Sequence, residues 1–224
     1  MMRFVLGSRA LRHSARFFLC VTAVVAALPV MGQQSTRELG LTGNRFSPLE
    51  WEALDDAQRS FLEGVLEGPR NSLGGPFNVL LRAPELGELS QKLGAYARFD
   101  SSLPASLREL AIIMTARYWR ADFEWYAHKN AALAAGLDPA IVESVRSNER
   151  PAGMQPAEAA LHDFVASLLR EHRVPDAEFD AAVAALGERG VVDVIGTVGY
   201  YSIVSMLLNA DEYPLPEGVE PELD

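Results

Sequence analysis

Residues 108–128 read RELAIIMTARYWRADFEWYAH, and the order of residue types in this stretch decides the fold. Pro104 opens a predicted helix over 104–120 in which Leu107, Leu110, Ile113, Met114 and Arg117 mark one face and Glu109, Ile112 and Ala116 another. Both faces are largely apolar, the pattern of a helix packed on several sides. A second helix is expected from Asp122 to Ala135, closed by Gly136, because glycine takes the left-handed conformation that ends helices. Between them Trp119 to Asp122 can break the helix, with Asp122 expected to cap the new one. Two helices joined by so short a connection can fold back as an antiparallel pair.

That hairpin has a chemical consequence. Glu124 and His128 are four residues apart, so on a helix their side chains rise from one face and can share a proton. In a single straight helix Glu109 would stand roughly 28 Å from His128 at 1.5 Å per residue. Folded at Trp119–Asp122, the two lie at similar distances from the turn and can meet. Phe123, Trp125 and the alanines at 131–135 make the surroundings apolar, and polar groups in such surroundings need partners. Glu109, Glu124 and His128 are therefore the candidate catalytic residues. The ordinary alternatives are a surface ion pair and a satisfied core histidine.

A carboxylated substrate would also meet a cation, and Arg82, Arg98, Arg117 and Lys129 are the candidates. Periodicity does not choose among them. Trp125 and Tyr126 flank the pair as core, contact or pocket-wall residues. His162 in ALHDF and His172 in REHRV lack a carboxylate–histidine cluster with metal-ligand spacing, so no metal ligand is assigned.

Outward from this core, other helices are signalled by proline starts and apolar periodicity. Ser47-Pro48-Leu49-Glu50 looks like a capping box opening a helix over 48–66. Gly68-Pro69 ends it, and residues 68–83 form a linking segment rich in glycine and proline. Further helices are expected over 84–99, 139–147, 156–170, 176–186 and 191–209. The whole is an all-α, multi-helix bundle forming one domain over 47–217, with a flexible lead-in at 33–46 and a Pro- and Glu-rich tail ending in 218–224 that wraps over the surface.

Residues 1–32 have the layout of a secretory signal peptide: Arg3, Arg9, Arg12 and Arg16, an apolar run from Phe17 to Leu28, and Val30-Met31-Gly32 for cleavage. The run is shorter than the roughly 20 residues of a membrane-spanning helix, so export to the periplasm or beyond is expected, with no stable membrane insertion after cleavage. Cys20 is the only cysteine among 224 residues. A cleaved chain then has no thiol, which excludes a disulfide framework, a cysteine nucleophile and a dithiol peroxidase. The net charge is -10, and losing four early arginines makes it more acidic still, which disfavours a nucleic-acid partner.

LREL at 107–110, ARYWRADFEWYAH at 116–128, AGL at 135–137, RAPEL at 82–86, and GYY, LLN and PLP near the C-terminus occur in an order that resembles the carboxymuconolactone decarboxylase-like family. The resemblance spans roughly 77–217. It implies the helical fold of the alkylhydroperoxidase-like type, assembly as a homo-oligomer, and a site at Glu109, Glu124 and His128. Alkylhydroperoxidase-like members carry a Glu, a CxxC pair and a His, which fall here on Glu109, Ala121, Glu124 and His128. Both sulfurs are missing, so peroxide reduction through a disulfide is disfavoured. The decarboxylase branch implies chemistry without a cofactor on a small lactone-type or carboxylated substrate, by decarboxylation or isomerisation, with His128 as proton donor, Glu124 setting its tautomer and pKa, and Glu109 relaying or orienting. Arg82, Arg98 and Arg117 are the expected substrate-binding cations. A non-catalytic binding or assembly protein on the same frame is the alternative.

Overall fold

A computed structural model describes residues 37–223 of the chain. The signal-peptide and cleavage assignments over 1–32 lie outside the described residues. Among the described residues the regular structure is entirely helical: α1 Asp56–Glu67, α2 Phe77–Leu80, α3 Pro84–Ala95, α4 Ala105–Trp119, α5 Asp122–Ala134, α6 Pro139–Arg146, α7 Pro156–Arg170 and α8 Asp176–Asp211. Two short turns supplement them, a 3-10 turn at Trp51–Ala53 and a π turn at Tyr96–Asp100.

Helix α4 is the hub, packed against α5, α7 and α8. Its LAIIMTA run is buried without interruption from Leu110 to Ala116, as its apolar faces require. The principal core joins α4 residues Leu107, Leu110, Ile113 and Met114 to Trp125 of α5, Ile141 and Val145 of α6, Phe164 and Val165 of α7 and Val194 and Val198 of α8. A second cluster ties α1 to the α2 region through Phe61, Leu62, Val65, Phe77 and Leu81. A third sits where α4 meets α8: Ile112, Tyr200, Tyr201, Val204 and Leu208.

The α4–α5 connection falls where the sequence places it, with different capping chemistry. Arg120 ends α4 in the left-handed conformation, φ 50°, and the Ala121 amide reaches back to the Ala116 carbonyl at 2.9 Å. Asn209 of α8 caps the hairpin from outside, its amide donating to the Trp119 carbonyl at 2.7 Å. Ala121, not Asp122, stands at the N-cap of α5. Asp122 is the first helical residue, and its carboxylate accepts from the Leu223 amide at 3.3 Å.

Two other expectations need correction, the start of α1 and the gap between the last two helices. Helix α1 begins at Asp56, not near 48, because the working capping box is Asp55 with Gln58, while Leu54 is extended. The linking segment contains the buried turn of helix α2. The described part of the lead-in contacts the bundle: Phe46 and Asn44 amides donate to Asp211 Oδ1 at 2.7 and 3.2 Å, Asn78 holds the Phe46 carbonyl at 2.6 Å, and Leu39 and Leu41 pack on the second cluster. The helices expected at 176–186 and 191–209 meet at one residue, Gly187, whose φ of 73° interrupts α8. The tail returns to the bundle, where Leu223 joins the principal core and Glu222 accepts from Trp125 Nε1 at 2.9 Å.

Candidate functional site

The hairpin brings the three expected residues together. Glu109 comes from α4, Glu124 and His128 from α5, and all three are buried, with 7%, 5% and 7% of their surfaces exposed. Nδ1 of His128 lies 2.6 Å from Glu109 Oε2, and Nε2 lies 3.1 Å from Glu124 Oε1. Each ring nitrogen therefore faces its own carboxylate. A neutral imidazole has one N–H to donate, whereas imidazolium has two, so with both carboxylates ionised it is the charged form that satisfies both contacts.

Electrostatics agrees with that geometry. Burial depresses the basicity of His128, but the Glu124 charge, the hydrogen bonds to Glu109 and Glu124 and the Glu109 charge outweigh it, raising the pKa from 6.5 to about 9. His128 is thus a cation at neutral pH, enclosed between two anions. Glu124 is the largest of the influences that raise the His128 pKa, and Glu109 holds the opposite ring nitrogen.

The same residue types can ligate metals elsewhere. Here neither imidazole lone pair is free in the charged form, and among the described residues no group of three or more His, Cys, Asp or Glu side chains is arranged to hold an ion.

The far wall of the site comes from α8, and the sequence reading missed its residues. The Tyr201 ring meets the His128 ring edge-on, with centroids 4.9 Å apart and planes at 78°. Tyr200 meets Tyr201 in the same way at 5.0 Å, and its hydroxyl accepts from Arg70 Nη2 at 3.2 Å. Burial first, and the Glu124 charge second, hold the Tyr201 phenol well above its ordinary pKa of 10, with Arg98 opposing. Burial also raises Tyr200, against Arg70. The GYY motif was the available signal, but its tyrosines read equally well as core.

The three candidate arginines separate. Arg98 is half-buried at the π turn, and its charge acts on both phenols, so it belongs to the site's surroundings. Arg82 does not: its guanidinium is taken by Asn78 and the Ser47 carbonyl, where it pins the lead-in. Arg117 does not either. Its Nε donates to the Arg146 carbonyl at 2.7 Å, and it lines a separate cavity of about 40 Å³ with Met114, Tyr118, His162 and Arg170. Lys129 pairs with Glu222 of the tail. Arg70, in the segment before α2, was overlooked because nothing in its local pattern distinguishes it.

Trp125 is buried and anchored to the tail, as a core residue would be. His162 is buried with Nδ1 3.0 Å from Asp163, while His172 is exposed.

Residues 84–166 match the model of the Carboxymuconolactone decarboxylase family. That segment runs from the start of α3 into α7 and includes Glu109, Glu124 and His128. A comparison with curated proteins finds no significant match. Among solved structures, the alkylhydroperoxidase AhpD core of an uncharacterized peroxidase-related protein from Ralstonia eutropha superposes with a TM-score of 0.64 at 18% identity, covering 77% of this chain and 92% of that one. A protein of unknown function from Agrobacterium tumefaciens, described as a candidate AhpD antioxidant defence protein, gives 0.56 at 16% identity, covering 64% and 97%. At these identities the likeness shows a shared helical fold.

Proposed function

We propose that this carboxymuconolactone decarboxylase-like chain is an exported enzyme that performs acid–base chemistry without a cofactor on a small carboxylated or lactone-type molecule. The observation that carries the reading is the doubly engaged His128: a buried imidazolium between two carboxylates is a poised proton source with a ready acceptor on either side.

For a decarboxylation the steps balance simply. The bond from carbon to the carboxylate breaks, carbon dioxide leaves, and the electron pair passes into the conjugated lactone carbonyl as an enolate. His128 then delivers a proton to the enolate carbon, and solvent replaces it through Glu109 or Glu124. One proton is consumed per turnover. An isomerisation uses the same groups, with one carboxylate removing a proton that His128 returns at a different carbon.

Thiol-based peroxide reduction is disfavoured because Ala121 and Glu124 stand at the positions of the redox pair in alkylhydroperoxidase-like proteins, and neither side chain can form a disulfide. The enclosure of the three side chains favours a second reading, a binding protein that closes around its ligand without turning it over.

Export rests on the charged and apolar layout of residues 1–32. Homo-oligomer formation is supported by exposed apolar side chains: Leu86, Leu89 and Leu93 at three- and four-residue spacing on α3, and Val192, Ile195 and Met206 on α8.

The test is a screen of small lactone acids, carboxymuconolactone among them, for carbon dioxide release and isomerisation, with His128→Ala as control. Turnover lost in the variant supports the enzyme. Turnover retained in full by His128→Ala refutes the proton-donor role, and saturable binding without turnover supports the binding protein.

A further inference from the structure

The geometry points to the Tyr201 hydroxyl as the hydrogen-bond donor for an oxyanion, the enolate oxygen that develops from the carbonyl of a planar conjugated acid bound against His128. This rests on the acid–base reading of the site and adds the group that would stabilise the charge the reaction creates.

Tyr201 has only 2% of its surface exposed, yet among the described residues no group hydrogen-bonds its hydroxyl. A buried hydroxyl without a partner costs on the order of 1–3 kcal/mol, and such groups in native proteins are uncommon enough to need an explanation. This one is on the residue whose ring packs against the imidazole. The phenol remains protonated, because burial and the neighbouring Glu124 charge disfavour its anion. It is therefore a donor with no acceptor among the described residues.

The register along α8 strengthens the case. Thr197 and Ser205, four residues before and after Tyr201, are fully buried, and among the described residues their hydroxyls also lack partners. Ser and Thr within a helix commonly satisfy themselves on the carbonyl four residues back, as Thr115 does on Ala111 at 2.8 Å. Here neither does. Three unpartnered hydroxyls at i, i+4 and i+8 share one helix face, and Tyr201 at their centre packs in the cluster of Ile112, Val204 and Leu208.

Charge selects the ligand. Glu109, Glu124 and the imidazolium sum to −1, which repels an anion. The surrounding cations reverse the sign: Arg70 holds the Tyr200 hydroxyl, and the Arg98 charge acts on both phenols. With both arginines the sum is +1, suited to a monoanion such as a lactone carboxylate. Such a ligand would present its carboxylate toward the arginines and its carbonyl toward Tyr201.

Gly94 shows that the tyrosine wall is built in from α3. A Cβ there would stand 2.3 Å from both Cζ and the hydroxyl of Tyr200, so α3 approaches this closely only through glycine. Gly94 is a positioning residue for Tyr200 and, through ring contact, for Tyr201.

The test uses coumalate, a stable 2-pyrone carboxylate, titrated into the full chain while the His128 ring signals are followed by NMR, together with melting temperatures. Tyr201→Phe removes one oxygen and preserves the ring. The expected result is about tenfold weaker coumalate binding, a hydrogen bond's worth, with an unchanged or higher melting temperature because an unsatisfied hydroxyl is gone. His128→Gln serves as the parallel arm and should weaken binding as well. If Tyr201→Phe binds like the parent while His128→Gln does not, the donor assignment is wrong and the acid–base site stands. A lower melting temperature in Tyr201→Phe assigns the hydroxyl a structural bond and overturns the inference. If the parent chain shows no saturable response to coumalate, both readings fall.

Discussion

Nδ1 of His128 lies 2.6 Å from Oε2 of Glu109, a residue 19 positions earlier on the antiparallel helix. This contact is the product of the hairpin. Without the turn at Arg120 the two side chains could not meet, and without Glu109 the imidazolium would keep a single acceptor in a buried place. Fold and site are coupled through one hydrogen bond.

Glu109→Gln should therefore destabilise the chain although it hardly changes volume. Removing one partner of a buried charged pair typically costs about 3–5 kcal/mol, and deprotonation of His128 can relieve part of that, so a loss of about 2–4 kcal/mol is expected in urea unfolding at neutral pH. A loss below about 0.5 kcal/mol, the scale of an exposed pair, would mean that the contact contributes no more than a surface bridge.

The raised pKa of His128 sets a pH dependence. A histidine whose folded value lies above its unfolded one binds its proton more tightly in the native state, so its stabilisation is complete below 6.5 and fades as pH rises to about 9. The slope approaches about 1.4 kcal/mol per pH unit within that window. Melting temperatures of the parent chain should fall between these limits relative to His128→Gln. A constant difference from pH 6 to 10 would contradict the imidazolium assignment.

Arg120 holds a left-handed backbone at the end of α4, a conformation that disfavours a residue with a Cβ by about 1–2 kcal/mol. Arg120→Gly should raise stability by up to about 1 kcal/mol and leave ligand binding unchanged. Destabilisation in thermal melts would show that the Arg120 side chain contributes more than the strain costs.

The C-terminal tail should prove integral to the bundle. Ending the chain after Pro216 removes Leu223 from the principal core and takes the Glu222 carboxylate from Trp125 Nε1 and Lys129. A buried leucine and an indole hydrogen bond together suggest a loss of about 2–4 kcal/mol, read by denaturant midpoint. A truncated chain as stable as the full one would show that the tail adds nothing to the fold.

The sequence made the hairpin and the three central residues legible because each rested on local information: i,i+4 spacing, an apolar run and a break. It located the helices from α3 through α7 closely for the same reason. Where it failed, a competing local cap or a distant contact decided the outcome. Asp55 with Gln58 outcompeted Ser47 with Glu50 as the start of α1, and Asp211 accepts from the Asn44 and Phe46 amides of the lead-in, a contact no local pattern signals. The arginines could not be sorted by periodicity, since Arg82 and Arg117 are committed to backbone carbonyls that only the folded chain supplies. Tyr200 and Tyr201 were legible as part of the GYY motif but not as site residues, because tyrosines in an apolar helix read as core, and only the folded chain reveals an unpartnered hydroxyl on the ring that packs against the imidazole.

The most direct measurement is the proton-coupled nitrogen spectrum of the His128 ring in the free protein at pH 7.5. The expected spectrum shows both ring nitrogens protonated, with the transition to the neutral form near pH 9. A single neutral tautomer at pH 7.5, titrating at or below 6.5, would contradict the buried cation on which the proposed chemistry depends.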